Sequence, residues 1–307
     1  MKWISLWKFL KSKWKYLRFL LTIFVWLAVI YYLFYEKEKL QKIFFDTQVA
    51  WQWVFASMFL LIFNIGLEAT KWYWVVKIFY PNLKYLTAFQ AILTGSASAF
   101  ITPQKLGDYV GRLFYLSEKK RFDAAVATFL DRLAQLGATL CFAVFASIYL
   151  KMNFLITLAL IFITLIFHLF LWYSPFWISF ISNWFRFLKC LENSLKPISL
   201  KILVITSLLS ILRFFVFLAQ YLLIFKAFGI SNEDLWALCC LIFFIKSFIP
   251  SLAFSELGIR EGVALWVFNQ YTNIDSLIVF HVTFILFIIN TLFPAAIGAW
   301  LIKNLKI

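Results

Sequence analysis

The sequence contains little of the polar material that a water-soluble protein needs. Only 14% of the 307 residues are charged, and Asp and Glu together number 14. Hydrophobic residues make up 64% of the chain, whereas soluble globular proteins are typically about 45–50% apolar. So few polar side chains cannot coat a soluble body. The composition therefore predicts an integral membrane protein.

Glycine is also scarce, because only 9 occur in the whole chain. A transmembrane β-barrel needs many turns and strands of alternating polarity, whereas the apolar runs here are long and continuous. The fold class that we predict is therefore all-α, a polytopic transmembrane helical bundle. A helix needs roughly 20 apolar residues to cross a bilayer, so the length allows about six to eight spans.

Residue patterns that support catalysis are missing. The sequence contains no GxSxG, HExxH or P-loop motif, and His168 and His281 each stand alone. The 4 cysteines form no CxxC pair and are interpreted as packing residues. We therefore expect no enzyme activity, no metal site and no cofactor.

Aromatic and aliphatic residues dominate instead, and the mean hydropathy is +0.88. The 39 Phe, 14 Trp and 13 Tyr suit lipid contact and the headgroup region. The apolar runs predict full spans and two shorter helices that end near prolines. The predicted full spans are residues 19–35, 50–69, 124–150, 154–173, 200–228 and 275–302, and the shorter helices are 87–102 and 235–250.

Basic residues outnumber acidic ones by 29 to 14, which gives a net charge of +15. In a membrane protein this excess marks cytoplasmic loops and headgroup contact, so we expect no nucleic-acid partner. Residues 1–18 are interpreted as a basic amphipathic segment on the cytoplasmic face, not a cleaved signal. The expected location is a bacterial or archaeal plasma (inner) membrane, multi-pass, with both termini cytoplasmic.

Two interrupted helices occur at corresponding places in the two halves of the sequence. In each, an apolar helix stops at a proline, and an acidic residue and an arginine follow. Such paired interruptions predict broken or re-entrant helices around a transporter-type site, because unsatisfied backbone groups are tolerated only beside a protected cavity. The interruptions predict one integral-membrane domain, 1–307, with pseudo-repeats at about 50–150 and 200–302. Whether these pseudo-repeats form an inverted repeat is left open. The residues concerned are Thr102, Pro103, Asp108 and Arg112 in the first copy and Pro250, Glu256, Gly258, Arg260 and Glu261 in the second.

The candidate site is an anion cradle in which Arg112 and Arg260 hold a phosphate by paired hydrogen bonds. The supporting members are Asp108, Glu256, Glu261, Asp131, Arg132 and Arg213. A charge at the centre of a membrane helix costs about 2.5–3.5 kcal/mol, so each should find a partner or water. Asp108 and Arg112 are four residues apart and can pair on one helix face. Another interpretation stays open, in which each proline ends a helix at the interface and the arginines reach the headgroups.

Three segments resemble a known family. They are Gly95 to Arg112, the pair Asp131-Arg132, and Pro250 to Gly262 with its Leu-Gly-Ile-Arg-Glu-Gly run. Together they are similar to the lysylphosphatidylglycerol synthase transmembrane region, a family of flippase-like membrane proteins. The resemblance implies a unit that moves a lipid between leaflets. Because the chain ends soon after its last span, we expect it to lack the soluble domain that attaches the amino acid.

The leading hypothesis is a lipid translocase for an anionic or phosphate-bearing amphiphile. One alternative is an integral-membrane enzyme that acts on a lipid-linked substrate. Another is a non-transporting partner of an envelope-biogenesis enzyme. Membrane lipids are the expected partners, and a homo-oligomer and an envelope enzyme partner are left open.

Overall fold

The computed structural model describes residues 49–100, 102, 105–185, 188–249 and 255–303, without the side chains of residues 119 and 255–257. Within these ranges the chain is helical and contains no strand, which confirms the all-α fold class. The predicted basic segment 1–18 and the predicted first span, 19–35, lie outside the described residues.

The helices closely follow the predicted ranges. Five of the described helices, α1, α4, α5, α8 and α11, are long and apolar enough to cross a membrane. The helices are α1 Trp51–Val76, α2 Tyr85–Phe100, α3 Leu106–Leu113, α4 Arg121–Tyr149, α5 Phe154–Trp172, α6 Ser174–Ser182, α7 Lys189–Leu195, α8 Leu200–Ala227, α9 Leu235–Phe248, α10 Ser255–Tyr271 and α11 Ser276–Lys303.

One boundary differs from its prediction. The span predicted to end near residue 69 continues to Val76. Lys71, which follows the predicted end of this span, therefore lies inside the helix, and it is only 1% exposed. A lysine inside a membrane helix is tolerated when it pairs with an acid, and Lys71 Nζ lies 3.2 Å from Asp131 Oδ1.

The ends of α5 and α11 follow local sequence signals. Asn153 Oδ1 accepts a hydrogen bond from the Leu155 N–H (2.9 Å) at the start of α5. Asp275 Oδ1 accepts one from the Leu277 N–H (2.9 Å) at the start of α11. Each side chain satisfies one of the N–H groups that a helix leaves without a partner in its first turn.

The two short-helix pairs form hairpins that enter the bundle from opposite ends. Helices α1 and α4 run antiparallel, since Trp72 Nε1 donates to Thr128 Oγ1 (2.9 Å), so α1 ends where α4 begins. The α2–α3 hairpin connects these two ends and returns to the same side. Helix α2 has 16 residues and is about 24 Å long, too short for a full crossing. The α9–α10 hairpin connects α8 to α11 in the same way at the other end.

Helices α1 and α8 pack against each other in opposite directions. Contacts recur every seven residues along both: Ala50 N–H to Ala227 O (2.8 Å), Gln220 Nε2 to Ser57 O (3.0 Å) and Arg213 Nε to Asn64 Oδ1 (2.7 Å). Because the contacts advance by seven residues along α1 and go back by seven along α8, the two helices are related by an approximate two-fold axis. Helix α2 packs on α11 as α9 packs on α4. This is the arrangement expected of an inverted-topology repeat.

Helix α11 contains a π-helical turn at Ile288–Leu292, in which the Phe293 N–H bonds to the Ile288 carbonyl five residues back. Pro294 explains its position. A proline inside a helix has no N–H to donate, and its ring collides with the carbonyl four residues earlier, which is that of Asn290. The wider turn relieves this collision and places Asn290 towards the bundle centre.

Two apolar cores lie one above the other in the bundle. On α4, Leu130 and Ala134 belong to one core, whereas Ala138 and Phe142 belong to the other. The same change of core occurs along α1 and α8. Polar and charged residues occupy these helices where one core gives way to the other. The apolar packing therefore positions a polar layer inside the membrane-spanning bundle.

Candidate functional site

The turn between α2 and α3 is built by one threonine. Thr102 Oγ1 accepts a hydrogen bond from the Gly107 N–H (2.7 Å) and donates one to the Ser98 carbonyl (3.0 Å). Lys105 adopts a left-handed backbone with φ of 57° just before α3 begins. These features end α2 and restart the chain as α3 inside the bundle. Pro103 lies outside the described residues.

Glycines allow the backbones of α2 and α3 to touch. A Cβ placed on Gly107 would lie 2.1 Å from the Ser98 carbonyl oxygen, and one on Gly111 would lie 2.6 Å from the Thr94 carbonyl oxygen. Small residues permit this close helix packing in membranes. The close approach places Asp108 and Arg112, the residues that follow these glycines, beside Gly95 of α2 and within reach of α1 and α4.

Arg112 is wholly buried and holds three acids. Its Nε donates to Asp108 Oδ1 (2.8 Å), its Nη2 pairs with Glu68, and its Nη1 lies 3.5 Å from Asp131 Oδ2. All three guanidinium nitrogens therefore lie beside carboxylates of α1, α3 and α4, and Nη1 makes only the longer ion-pair contact without a hydrogen bond among the described residues. The predicted Asp108–Arg112 pair is confirmed by this geometry.

Glu68 is the acid shared by three arginines. Its Oε1 pairs with Arg112 and with Arg132 Nη2 (2.9 Å), and its Oε2 pairs with Arg213. Arg132 also pairs with Asp108, through Nε at 3.0 Å and through Nη2. One carboxylate thus connects α1, α3, α4 and α8. Paired charges of this kind are the form in which ionised groups are tolerated in a bilayer.

Lys71 and Asp131 complete the cluster where α1, α4 and α8 meet. Lys71 Nζ donates to Ser210 Oγ (3.1 Å) and to Gln135 Oε1 (3.3 Å), in addition to its ion pair with Asp131. Asp131 and Arg132 are neighbours in sequence, and each charge in a membrane helix is expected to find a partner. The structure confirms this, since Asp131 pairs with Lys71 and Arg112 while Arg132 pairs with Glu68 and Asp108.

A cavity of about 240 Å³ adjoins this cluster. Among its polar lining residues, four lie at the midpoints of the four long helices that surround the cavity. They are Asn64 on α1, Gln135 on α4, Arg213 on α8 and Asn290 on α11. Asn64 joins two of them, since Asn64 Nδ2 donates to Asn290 Oδ1 (2.9 Å) and Arg213 donates to Asn64. The cavity therefore lies at half the height of the spanning helices.

Both hairpins contribute to the cavity wall. Phe100 and Lys105 come from the end of α2 and the turn after it, and Lys246 and Arg260 come from α9 and α10. The residues that flank the two interruptions thus face one shared space. Of the described residues in the wall, five are basic and two are acidic, which gives a net charge of +3. The basic residues are Lys105, Arg132, Arg213, Lys246 and Arg260, and the acidic ones are Glu68 and Asp108.

The wall also has apolar portions and neutral polar groups. Phe214, Phe217 and Phe243 form an aromatic side, and the Arg213 guanidinium carbon lies 4.8 Å from the Phe217 ring centre. Ser96, Thr139 and Thr291 supply hydroxyls. A cavity with a cationic region, hydroxyls and an aromatic side can accept an anionic group that is joined to an apolar chain.

The structure distributes the predicted site residues between the cavity wall and the ion-pair cluster. Arg112 is fully buried and does not line the cavity, which differs from its expected role as a headgroup ligand. The physical reason is that its three nitrogens already face carboxylates. Those in the cavity wall are Asp108, Arg132, Arg213 and Arg260, and those in the buried cluster are Asp108, Arg112, Asp131, Arg132 and Arg213.

The remaining predicted residues lie elsewhere. Thr102 shapes the hairpin turn rather than the cavity wall. Glu261 is buried on α10 and Gly258 is exposed on the same helix, and neither lines the cavity. Pro250 and the side chain of Glu256 lie outside the described residues.

Sequence reasoning missed Glu68, Lys71 and the neutral residues at the helix midpoints. Glu68 and Lys71 lie at the predicted end of a span, where a charge usually marks the membrane interface. The available signal was spacing, since Asn64, Glu68 and Lys71 recur at intervals of four and three residues and therefore share one helix face. Three polar residues on one face of an apolar span indicate an internal polar surface.

Comparison with known proteins confirms the family resemblance that the sequence motifs indicate. Residues 17–298 match the family described as Lysylphosphatidylglycerol synthase TM region. No curated protein and no solved structure matches the chain. The match covers most of the 307 residues and includes both hairpins and the cluster between them. The chain is thus an integral membrane protein related to lipid metabolism, and it belongs to the lysylphosphatidylglycerol synthase transmembrane-region family.

Proposed function

We propose that this protein is a lipid translocase that moves an anionic, phosphate-bearing amphiphile between the two leaflets. One observation supports this most strongly. Hairpins that enter from opposite ends of the bundle reach one cavity, and the described residues in its wall carry a net charge of +3. An anionic headgroup gains most from such a wall, because the bilayer interior offers it no other compensation.

The position of the cavity suits exchange between leaflets. Four of its polar residues lie at the midpoints of the spanning helices, so a headgroup held there is about equally distant from the two ends of the bundle. Each hairpin separates this point from one end of the bundle. Movement of the two hairpins in turn would open the cavity to one side at a time, as in transporters built from inverted repeats.

The experiment is leaflet exchange in proteoliposomes. The purified protein is reconstituted in vesicles with fluorescent phosphatidylglycerol, and a membrane-impermeant quencher reports the fraction in the outer leaflet over time. We expect faster exchange than in protein-free vesicles. We also expect Arg260→Gln and Lys246→Gln to slow exchange by about tenfold, the usual effect of losing one charge-assisted hydrogen bond.

Lys201→Gln is the matched control, since Lys201 is exposed at the start of α8 and does not line the cavity. It removes the same charge and should leave the rate unchanged. Exchange no faster than in empty vesicles, for fluorescent phosphatidylglycerol, phosphatidate and phosphatidylethanolamine alike, would sink the proposal. Mass spectrometry of the recovered lipid tests the enzyme alternative, which requires a chemically altered product.

A further inference from the structure

We infer that, without ligand, Glu68 occupies the position between Arg132 and Arg213 that a ligand phosphate takes. When the phosphate binds, it pairs with these two arginines in place of Glu68, and Glu68 keeps its pair with Arg112. This inference rests on the proposed function for the lipid identity of the phosphate. The exchange itself involves only residues of the described cluster. It assigns Glu68 a positioning role that the sequence did not suggest.

The first argument concerns which arginines a ligand can reach. Arg112 is 0% exposed and directs all three nitrogens at carboxylates. The Arg132 side chain is 34% exposed, the largest exposed fraction in the cluster, and it lines the cavity. Arg213 lines the cavity as well. Within the cluster, Arg112 is therefore out of reach of a ligand, whereas Arg132 and Arg213 face the cavity.

The second argument concerns the donors that remain. Arg132 directs Nε and Nη2 at Asp108 and Glu68, so within the described part of the chain its Nη1 has no acceptor. Arg213 directs Nη2 at Glu68, Nε at Asn64 and Nη1 at Gln135. A phosphate that approaches Arg132 Nη1 reaches the same two guanidinium groups that Glu68 bridges.

The third argument concerns charge balance. Glu68 is the only carboxylate in the described cluster that meets both cavity-facing arginines. If a dianionic or monoanionic phosphate occupies that position, Glu68 can retreat to Arg112 without becoming an unpaired buried charge. Departure of the phosphate returns the two arginines to Glu68. The four basic and three acidic groups of the cluster carry a net charge of +1 without phosphate and 0 with a monoanionic phosphate, so no carboxylate is left unpaired in either state, which keeps the barrier to release low.

The exchange predicts competition between Glu68 and phosphate. In Glu68→Gln the two cavity-facing arginines lose their shared acid, so a bound phosphate should restore the lost stability. We expect phosphate to bind on the order of tenfold more tightly than to the wild type. Leaflet exchange should nevertheless slow, because Glu68 is needed to release the headgroup.

The test is thermal unfolding of the full chain in detergent, with sodium phosphate compared with sodium chloride at equal ionic strength. A second arm uses short-chain phosphatidate and a third uses short-chain phosphatidylglycerol. We expect each phosphate compound to raise the unfolding temperature of Glu68→Gln by about 5 °C more than that of the wild type. Glu68→Asp is the second variant, since it keeps the charge but is one methylene too short to bridge Arg132 and Arg213.

Asp131→Asn is the matched control, because Asp131 is a buried acid of the same cluster that pairs with Lys71 and Arg112 and does not line the cavity. It should lose stability without any rescue by phosphate. Equal phosphate shifts in Glu68→Gln, Glu68→Asp, Asp131→Asn and wild type would overturn the inference. Rescue by inorganic phosphate but not by either lipid would support the exchange and contradict a lipid ligand. The vesicle assay judges translocation separately.

Discussion

Arg213 Nε donates a 2.7 Å hydrogen bond to Asn64 Oδ1, and each residue lies at the midpoint of its helix. Asn64 passes the connection on to Asn290 in the π turn of α11. A chain of side-chain hydrogen bonds therefore joins three spanning helices at the height of the cavity. It also fixes the direction in which the Arg213 guanidinium meets Glu68.

The substitution Asn64→Ala tests this chain of side-chain hydrogen bonds. The substitution leaves Arg213 Nε and Asn290 Oδ1 without their shared partner, and a buried group that loses its partner costs about 1–3 kcal/mol. We expect the free energy of unfolding in detergent to fall by about that amount. Gln52→Ala is the control, since Gln52 is exposed on the same helix. Equal stability of the two variants would show that these side-chain hydrogen bonds contribute nothing to the free energy of unfolding.

Gly107→Ala tests the hairpin. The added methyl would lie 2.1 Å from the Ser98 carbonyl oxygen, so α2 and α3 must separate. We expect loss of folded protein on size-exclusion chromatography, or a fall of at least about 3 kcal/mol in the free energy of unfolding. Gly66→Ala is the matched control, because a Cβ there lies 3.9 Å from its nearest neighbour, the Tyr85 hydroxyl. It should be neutral or stabilise α1 by up to about 1 kcal/mol.

Arg112 and Arg132 should respond differently to the same substitution. Arg112→Gln leaves three buried carboxylates short of a cation, and breaking such a pair costs about 3–5 kcal/mol. Arg132→Gln should cost less stability, since its side chain is 34% exposed. It should slow leaflet exchange by about tenfold or more, because a charge-assisted ligand bond is lost. The reverse order of the two unfolding free energies would contradict the division between buried cluster and cavity wall.

The Lys71–Asp131 pair should be structural. Among the described residues, Lys71→Met leaves Asp131 with only its longer contact to Arg112, so we expect the free energy of unfolding to fall by about 3–5 kcal/mol. Adding Asp131→Asn removes the stranded charge and should recover part of that loss. A double-mutant cycle on unfolding free energies measures the coupling. An additive cycle would indicate that the 3.2 Å contact has no energetic weight.

The sequence was sufficient to predict where the helices lie, but it did not predict how they pack against one another. Apolar length and proline positions predicted α2 at 87–102 and the last span at 275–302, within two residues of the observed Tyr85–Phe100 and Ser276–Lys303. Such boundaries depend on local composition. The extension of α1 to Val76 could not be predicted in this way, because it depends on Asp131, which lies on another helix.

The site was predicted in part for the same reason. Arg260, Asp108 and Arg213 stand out because charges are rare in apolar helices, and the structure places all three in the cavity wall. The division of roles between Arg112 and Arg132 depends on which nitrogens already face acids. That information exists only after α1, α3 and α4 have packed together, so residue type and spacing do not contain it.

The π turn of α11 makes that helix sensitive to deletions in a way that its apolar sequence conceals. Removing one residue from Ile288–Leu292 would close the π turn to an ordinary α-helical turn and bring the Pro294 ring back against the carbonyl four residues before it. The collision would kink α11 just before Gly298, which packs so closely on α2 that a Cβ there would lie 1.9 Å from the Leu93 carbonyl oxygen. A single missing codon there would disengage α11 from α2, even though the shortened segment would still be hydrophobic enough to insert.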